Sequence, residues 1–203
     1  MFDNWQPLTA NEIARVIRET FKAHPTPSTA VSWRALPFYR DGRLLRITAD
    51  EMRSVALYLV QTSDGYAPLD GSVLQVDGAN HHAGLNINRD SVLEYAKFHG
   101  FFVRGPDGPF FVCGETERAV LCKLNGLTED KRAHLIRDPE VIGEKDDVFM
   151  LRAVMLYGGA IFATTLRVCR CGVVEMVEDV PLGYDCLAVH LPITPDEVPD
   201  AVH

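Results

Sequence analysis

The sequence predicts an α+β protein with a mostly antiparallel sheet, in which a C-terminal three-strand meander packs against a central apolar helix. Three observations carry this expectation. Val148 to Tyr157, Ala160 to Arg170 and Val173 to Asp179 are adjacent runs rich in strand formers and separated by glycine-bearing turns. Asp90 to Cys113, DSVLEYAKFHGFFVRGPDGPFFVC, places Val92, Tyr95, Ala96, His99, Phe102 and Val103 at helical spacing before the Gly105-Pro106-Asp107-Gly108 break. The 203 residues are 47% hydrophobic and 24% charged, which is enough apolar material for a globular core and too much for a disordered chain.

The elements follow in order. Thr9 and Glu12 fit a capping box, and Ile13, Val16, Ile17 and Phe21 share one helical face, so residues 1–27 form a helical N-terminal segment closed near His24-Pro25. Ser28 to Pro37 is expected to be irregular. Phe38-Tyr39 and Leu44 to Ile47 suggest a hairpin turned at Asp41-Gly42. Val55 to Val60 reads as a strand, with a helix opened by Ala49-Asp50-Glu51 as the alternative. Ser72 to Val76 is a second possible strand, and Asp77 to Gly84 a loop before Leu85 to Ile87. Asp90 or Ser91 can cap the central helix, after which Pro109 to Cys113 leaves as a short strand. A further helix is expected from Thr128 to Arg137, ended by Asp138-Pro139. Gly158-Gly159 suits a two-residue hairpin turn with positive φ at both positions. Both faces of Val148 to Tyr157 are largely apolar, so one face should receive the central helix and the other a second layer, a cavity or a subunit. A single domain over 1–203 is expected, with 184–203 a partly exposed tail.

Charge and cysteine usage narrow the setting. The formal net charge is -8, which argues against general nucleic-acid binding. Residues 1–46 alone balance to +3, leaving -11 on the remainder, and Arg34, Arg40, Arg43 and Arg46 sit close together in that basic start. A solvated or internally paired face is the ordinary explanation of such a cluster, and an anion site the special one. Five irregularly spaced cysteines do not make a disulfide framework. No apolar run is long enough to cross a bilayer, and MFDNWQPLTANE lacks the features of a secretory signal, so a cytoplasmic location is expected.

No complete catalytic motif is present. The sequence contains no GxxxxGK[ST], GxGxxG or GxSxG pattern, and no cofactor is implied. The densest group of polar candidates is Asp77, Asn80, His81 and His82, flanked by glycines; adjacent histidines on an extended chain point to opposite sides and do not readily chelate one ion. His99 lies on an apolar helix face, where it is either a satisfied core histidine or a general base. Cys169-Arg170-Cys171 lacks the second chelating pair of a zinc site. Cys113, Cys122 and Cys186 are flanked by apolar residues and read as core cysteines. Glu115, Glu117, Glu175, Glu178 and Asp179 read as solvated strand ends.

The segments LYLV...YAPLDGSVLQVDG, VLEYAKFHGFFVRGPDGPFFV and VMLYGGAIFATTLRVCRCGVVEMVEDVPL, spanning Leu57 to Leu182, resemble an uncharacterised bacterial protein family. That likeness implies no activity and no functional residue. Helices ahead of a long antiparallel meander are also similar to the nuclear transport factor two-like and cystatin-like folds, which imply a sheet wrapped around a helix and a ligand pocket. The expected function is non-catalytic binding of a small molecule or a protein partner, with self-association into a homo-oligomer and no contact with nucleic acid or membrane. The alternative is a small-molecule enzyme whose pocket is lined by Met150, Met155, Phe162 and Met176 and served by His81, His82 and His99.

Overall fold

The computed structural model describes residues 4–52, 55–114 and 137–183. The chain divides into two compact units, one within Phe2–Leu85 and one within Asn86–His190.

In the first unit, β1 (Gln6–Pro7), β2 (Ala30–Ala35), β3 (Arg43–Thr48), β4 (Leu57–Thr62) and β5 (Gly65–Pro68) form an antiparallel sheet in sequential order. Helix α1 (Ala10–Phe21) is started by the expected capping box: the Glu12 N–H donates to Thr9 Oγ1 at 3.5 Å, and the Thr9 N–H donates to Glu12 Oε2 at 2.9 Å. Its Val16 and Ile17 join Leu8, Val31, Leu45, Ile47 and Leu59 in one core. Phe21, expected on that face, is instead exposed at the last turn.

Three local expectations fail here. Ser28 to Pro37 contains strand β2, whose Val31 and Trp33 face the α1 core, so pairing with β3 outweighs the flanking prolines. The hairpin partner of β3 is therefore β2, from Ala30↔Thr48 to Ala35↔Arg43, while Leu36, Phe38 and Tyr39 in the connection are buried. Tyr39 forms only an isolated bridge with Leu85. Both possibilities for residues 49–60 are partly realised, as a short 3₁₀ turn over Asp50–Met52 followed by β4. The third failure is the strand over Ser72–Val76 and the loop over Asp77–Gly84: these residues form helix α2 (Val73–His82), capped by Ser72, whose hydroxyl accepts from Leu74 N–H at 3.1 Å. Val76, Ala79, Asn80 and Ala83 are buried at helical spacing while Val73 and Leu74 are exposed, so burial of small residues decides the conformation.

The second unit opens with α3 (Val92–Phe102), the predicted apolar helix. Neither Asp90 nor Ser91 caps it with a side chain. Asn88 stands one turn earlier, its Oδ1 accepting from the Asp90 and Ser91 N–H groups at 2.9 and 3.1 Å. The helix stops at Phe102, and Val103 is already extended. A minimal ladder, β6 (Arg104–Gly105) with β7 (Gly108–Pro109), turns the chain into β8 (Phe111–Cys113).

The meander forms as the sequence predicts. β10 (Val148–Tyr157), β11 (Ala160–Cys169) and β12 (Val174–Gly183) run antiparallel in the order β12-β11-β10-β8, and β9 (Glu140–Lys145) also pairs with β10. Gly158 and Gly159 have φ of 56° and 83° and make the first turn. On one face, the rungs Phe149↔Val168, Leu151↔Leu166 and Ala153↔Thr164 are buried. The other face is mixed: Val154, Leu156 and Ile161 are buried, whereas Arg152 and Arg167 are exposed. Helix α3 is tied to the meander by the Tyr95 hydroxyl, which donates to the Gly172 carbonyl at 2.7 Å. The protein is thus α+β with antiparallel sheets.

The helix expected at Thr128–Arg137 (apart from Arg137), Glu115, Glu117, Cys122, Cys186 and the tail from 184 lie outside the described residues. Among the described residues no helix is long and apolar enough to cross a membrane.

Candidate functional site

The polar cluster proposed from sequence is distributed over α2, and the helix changes its geometry. Successive residues are about 100° apart around a helix, so the two histidines leave it in different directions. Their rings meet edge to face with centroids 5.1 Å apart. His82 Nδ1 lies 3.0 Å from Asp64 Oδ2, with both side chains more than half exposed, so the pair contributes little to stability. Asp77 is exposed on the same helix. Asn80 is buried and its Oδ1 accepts from the Tyr39 hydroxyl at 2.7 Å, which makes it a packing residue of the first unit. Among the described residues no group of three or more His, Cys, Asp or Glu is placed to hold a metal ion. Within the basic start Arg43 is engaged: its guanidinium lies 4.8 Å over the Trp33 ring, and its Nε donates to Gln61 Oε1 at 2.6 Å.

His99 is different, because it lines a cavity. One wall is α3, which presents Ala96, His99 and Gly100, with Val103 just beyond the helix end. Phe110 and Val112 of the following segment form the second wall, and Met155, Leu166, Val174 and Met176 of the meander form the floor. The cavity measures about 200 Å³. Its interior residues Ala96, Val112, Met155 and Leu166 are buried, while Met176 on the edge strand β12 is 47% exposed and marks the mouth.

Local sequence explains why a hollow exists at this place. Ala96 and Gly100 sit one turn apart on α3 and withdraw side-chain volume from the same stripe. Gly100 also allows the backbone of Phe110 to approach, with the Phe110 N–H donating to the Gly100 carbonyl at 2.8 Å. The helix is thereby pinned close to the β8 segment, and the space opens toward the meander. Half-buried His99 supplies an imidazole at the wall, its ring 6.0 Å from that of Tyr95.

The pocket expected for the enzyme alternative is realised in part. Met155, Met176 and His99 do line one cavity, and Phe162 faces Met155 across the ladder. Met150 falls on the opposite sheet face, on the rung with Arg167. No carboxylate is among the described lining residues. Ala96, Gly100, Val103, Phe110, Val112, Leu166 and Val174 escaped the sequence analysis as site residues, because each is an ordinary apolar or small residue. Helical spacing on α3 and alternation along the strands were their one signal, and these give a face without saying what stands opposite.

A second cleft, about 340 Å³, lies on the mixed face of the sheet and is lined by Arg137, Asp138, Glu140 and Arg152 with neighbouring apolar residues. Arg152 Nη1 donates to Glu140 Oε1 at 2.8 Å, so these opposite charges satisfy each other across the cleft.

No family model, curated protein or solved structure matches this chain.

Proposed function

We propose that the protein is a non-catalytic binding protein of the bacterial cytoplasm whose ligand is a small apolar molecule held between α3 and the meander. The observation that carries this is the cavity itself: about 200 Å³ of space whose lining is apolar apart from His99. An apolar cavity of about 150 Å³ suffices for one benzene ring, so this one suits a monocyclic aromatic or a short branched chain. Such a ligand gains by leaving water, in proportion to the apolar area it buries.

The test is direct. Benzene, toluene, indole and p-cresol are titrated against full-length protein carrying ¹³C-methyl methionine. Binding should shift the Met155 and Met176 methyl resonances and leave that of Met150, on the other face, in place. Ala96→Leu, which fills the hollow from α3, should abolish those shifts while the protein stays folded. Unmoved Met155 and Met176 signals, or undiminished binding in Ala96→Leu, would remove the pocket as the site.

Self-association is favoured by a separate observation. Among the described residues β12 is an edge strand of its sheet, and Met176, Val177, Val180 and Leu182 on it are 37 to 59% exposed. The unpaired backbone groups of a long exposed edge are a template for pairing with a second copy, which would also cover these apolar side chains. Antiparallel pairing about Val177 and Glu178 would set Glu175 opposite Val180 and Asp179 opposite Met176, so no acid faces an acid. Light scattering should report a dimer that Val180→Lys shifts to monomer; a wild-type monomer at high concentration would count against it.

A further inference from the structure

Two cysteines occupy a single tight turn, and no part of the proposed binding function uses them. Cys169 ends β11 and Cys171 lies two residues later, before β12 begins. The Gly172 N–H donates to the Cys169 carbonyl at 2.9 Å, which closes a β-turn with Arg170 and Cys171 at its centre. Gly172 has φ of 99° and the Cys169 N–H donates to the Val173 carbonyl at 2.8 Å, so a type I turn with a glycine bulge joins the strands. The first position of such a turn ordinarily holds Asp, Asn or Ser, whose side chain accepts from the backbone two residues on. Here the Cys169 sulfur takes that place, accepting from the Cys171 N–H at 3.2 Å.

The turn is also held firmly from outside. The Arg170 N–H donates to the Asp147 carbonyl at 2.8 Å, and its guanidinium donates to the Ile87 carbonyl and to Glu144 Oε1, each at 2.7 Å, while lying 4.6 Å over the Phe149 ring. Tyr95 holds Gly172 from the other side. With Arg170 directed away, both thiols are left on the turn, Cys171 exposed and Cys169 half-buried. Two Cα–Cα steps bent at Arg170 leave the cysteine Cα atoms roughly 5–6 Å apart, inside the range a disulfide spans.

We propose that Cys169 and Cys171 are a redox-active dithiol that takes oxidising equivalents from a small-molecule disulfide and closes an intramolecular disulfide across the β11–β12 turn. The exposed Cys171, as thiolate, attacks one sulfur of the incoming disulfide, forming a mixed disulfide and expelling one thiolate. Cys169 then gives up its proton and attacks the Cys171 sulfur, expelling the second. Two protein thiols are oxidised and one small disulfide is reduced to two thiols. The order follows from the environment: Cys171 is exposed and Cys169 half-buried, and the hydrogen bond to the Cys171 side chain, then burial, push the Cys169 thiol above its ordinary value of 9.0 despite the opposing bond from the Cys171 N–H, so it enters second. A ring this small at an exposed turn makes a labile bond, suited to exchange more than to structure.

Full-length protein is incubated with oxidised glutathione, residual thiols are blocked, and a non-reducing tryptic digest is weighed by mass spectrometry. Cleavage after Arg167 and Arg170 separates the two cysteines, so their disulfide joins Val168–Arg170 to the peptide that begins at Cys171. That joined mass should appear in the wild type and vanish on reduction. Because the second peptide also holds Cys186, the joined mass should persist in Cys186→Ser and be lost in Cys171→Ser. Cys169→Ser, which keeps an acceptor at the first turn position, should accumulate the glutathione adduct on Cys171. A wild type that stops at the adduct, a joined mass that survives Cys171→Ser, or one that disappears in Cys186→Ser, would overturn the assignment.

Discussion

A methyl group added at Gly100 would meet the Phe110 carbonyl oxygen at 2.5 Å, a backbone atom that cannot swing aside. Gly78 on α2 offers the contrast, with nothing within 4 Å of an added Cβ and no positive φ. Gly100→Ala should therefore lower stability by about 1–3 kcal/mol through overpacking. Gly78→Ala should raise it by about 0.5–1 kcal/mol through helix propensity. Urea unfolding of the two variants checks both signs. Neither outcome is legible in sequence, because the difference is the distance to another segment. The same holds for the candidate residues of α2. Asn80 looks like a ligand beside two histidines, yet its partner is Tyr39, forty-one positions away, and it is buried.

At the scale of elements, α1 was readable because its start signal is complete within four residues. That signal carries a pH dependence. Hydrogen bonds from the Thr9 backbone N–H and hydroxyl hold the Glu12 carboxyl below its ordinary value of 4.5. The folded value lies below the unfolded one, so the contribution to stability is fully present above pH 4.5 and is lost as the pH falls through the folded value. The advantage of wild type over Glu12→Gln in urea midpoint should thus shrink on acidification from pH 5 downward, and Thr9→Ala should flatten that trend. Glu12 is fully exposed, which keeps the effect small. The meander was equally readable, since strand alternation and Gly158-Gly159 are local. Helix α2 was not: its buried stripe is Val76, Ala79, Asn80 and Ala83, too small and too polar to produce a helical hydrophobic pattern, while Val73 and Leu74 face outward. Strand β2 was hidden by the prolines at either end and exists through its ladder with β3.

At the scale of the whole molecule, the described residues bury one core around Leu45 and Leu59 and another around Phe149 and Leu151. The expectation of one domain over 1–203 requires them to melt together. Leu45→Ala and Leu151→Ala should each cost about 2–5 kcal/mol and lower the midpoint of the same calorimetric transition. Two transitions, each moved by one variant alone, would mean two domains. The sequence by itself determined the fold class, α1, α3, the three meander strands and the free-cysteine turn, because those depend on periodicity and on contacts a few residues long. Tertiary structure decided α2, β2, the role of Asn80 and the cavity beside His99. Those depend on which faces meet, and a face acquires its partner only through contacts between residues far apart in the chain, where ordinary alanine, glycine and methionine become a site by the space they leave.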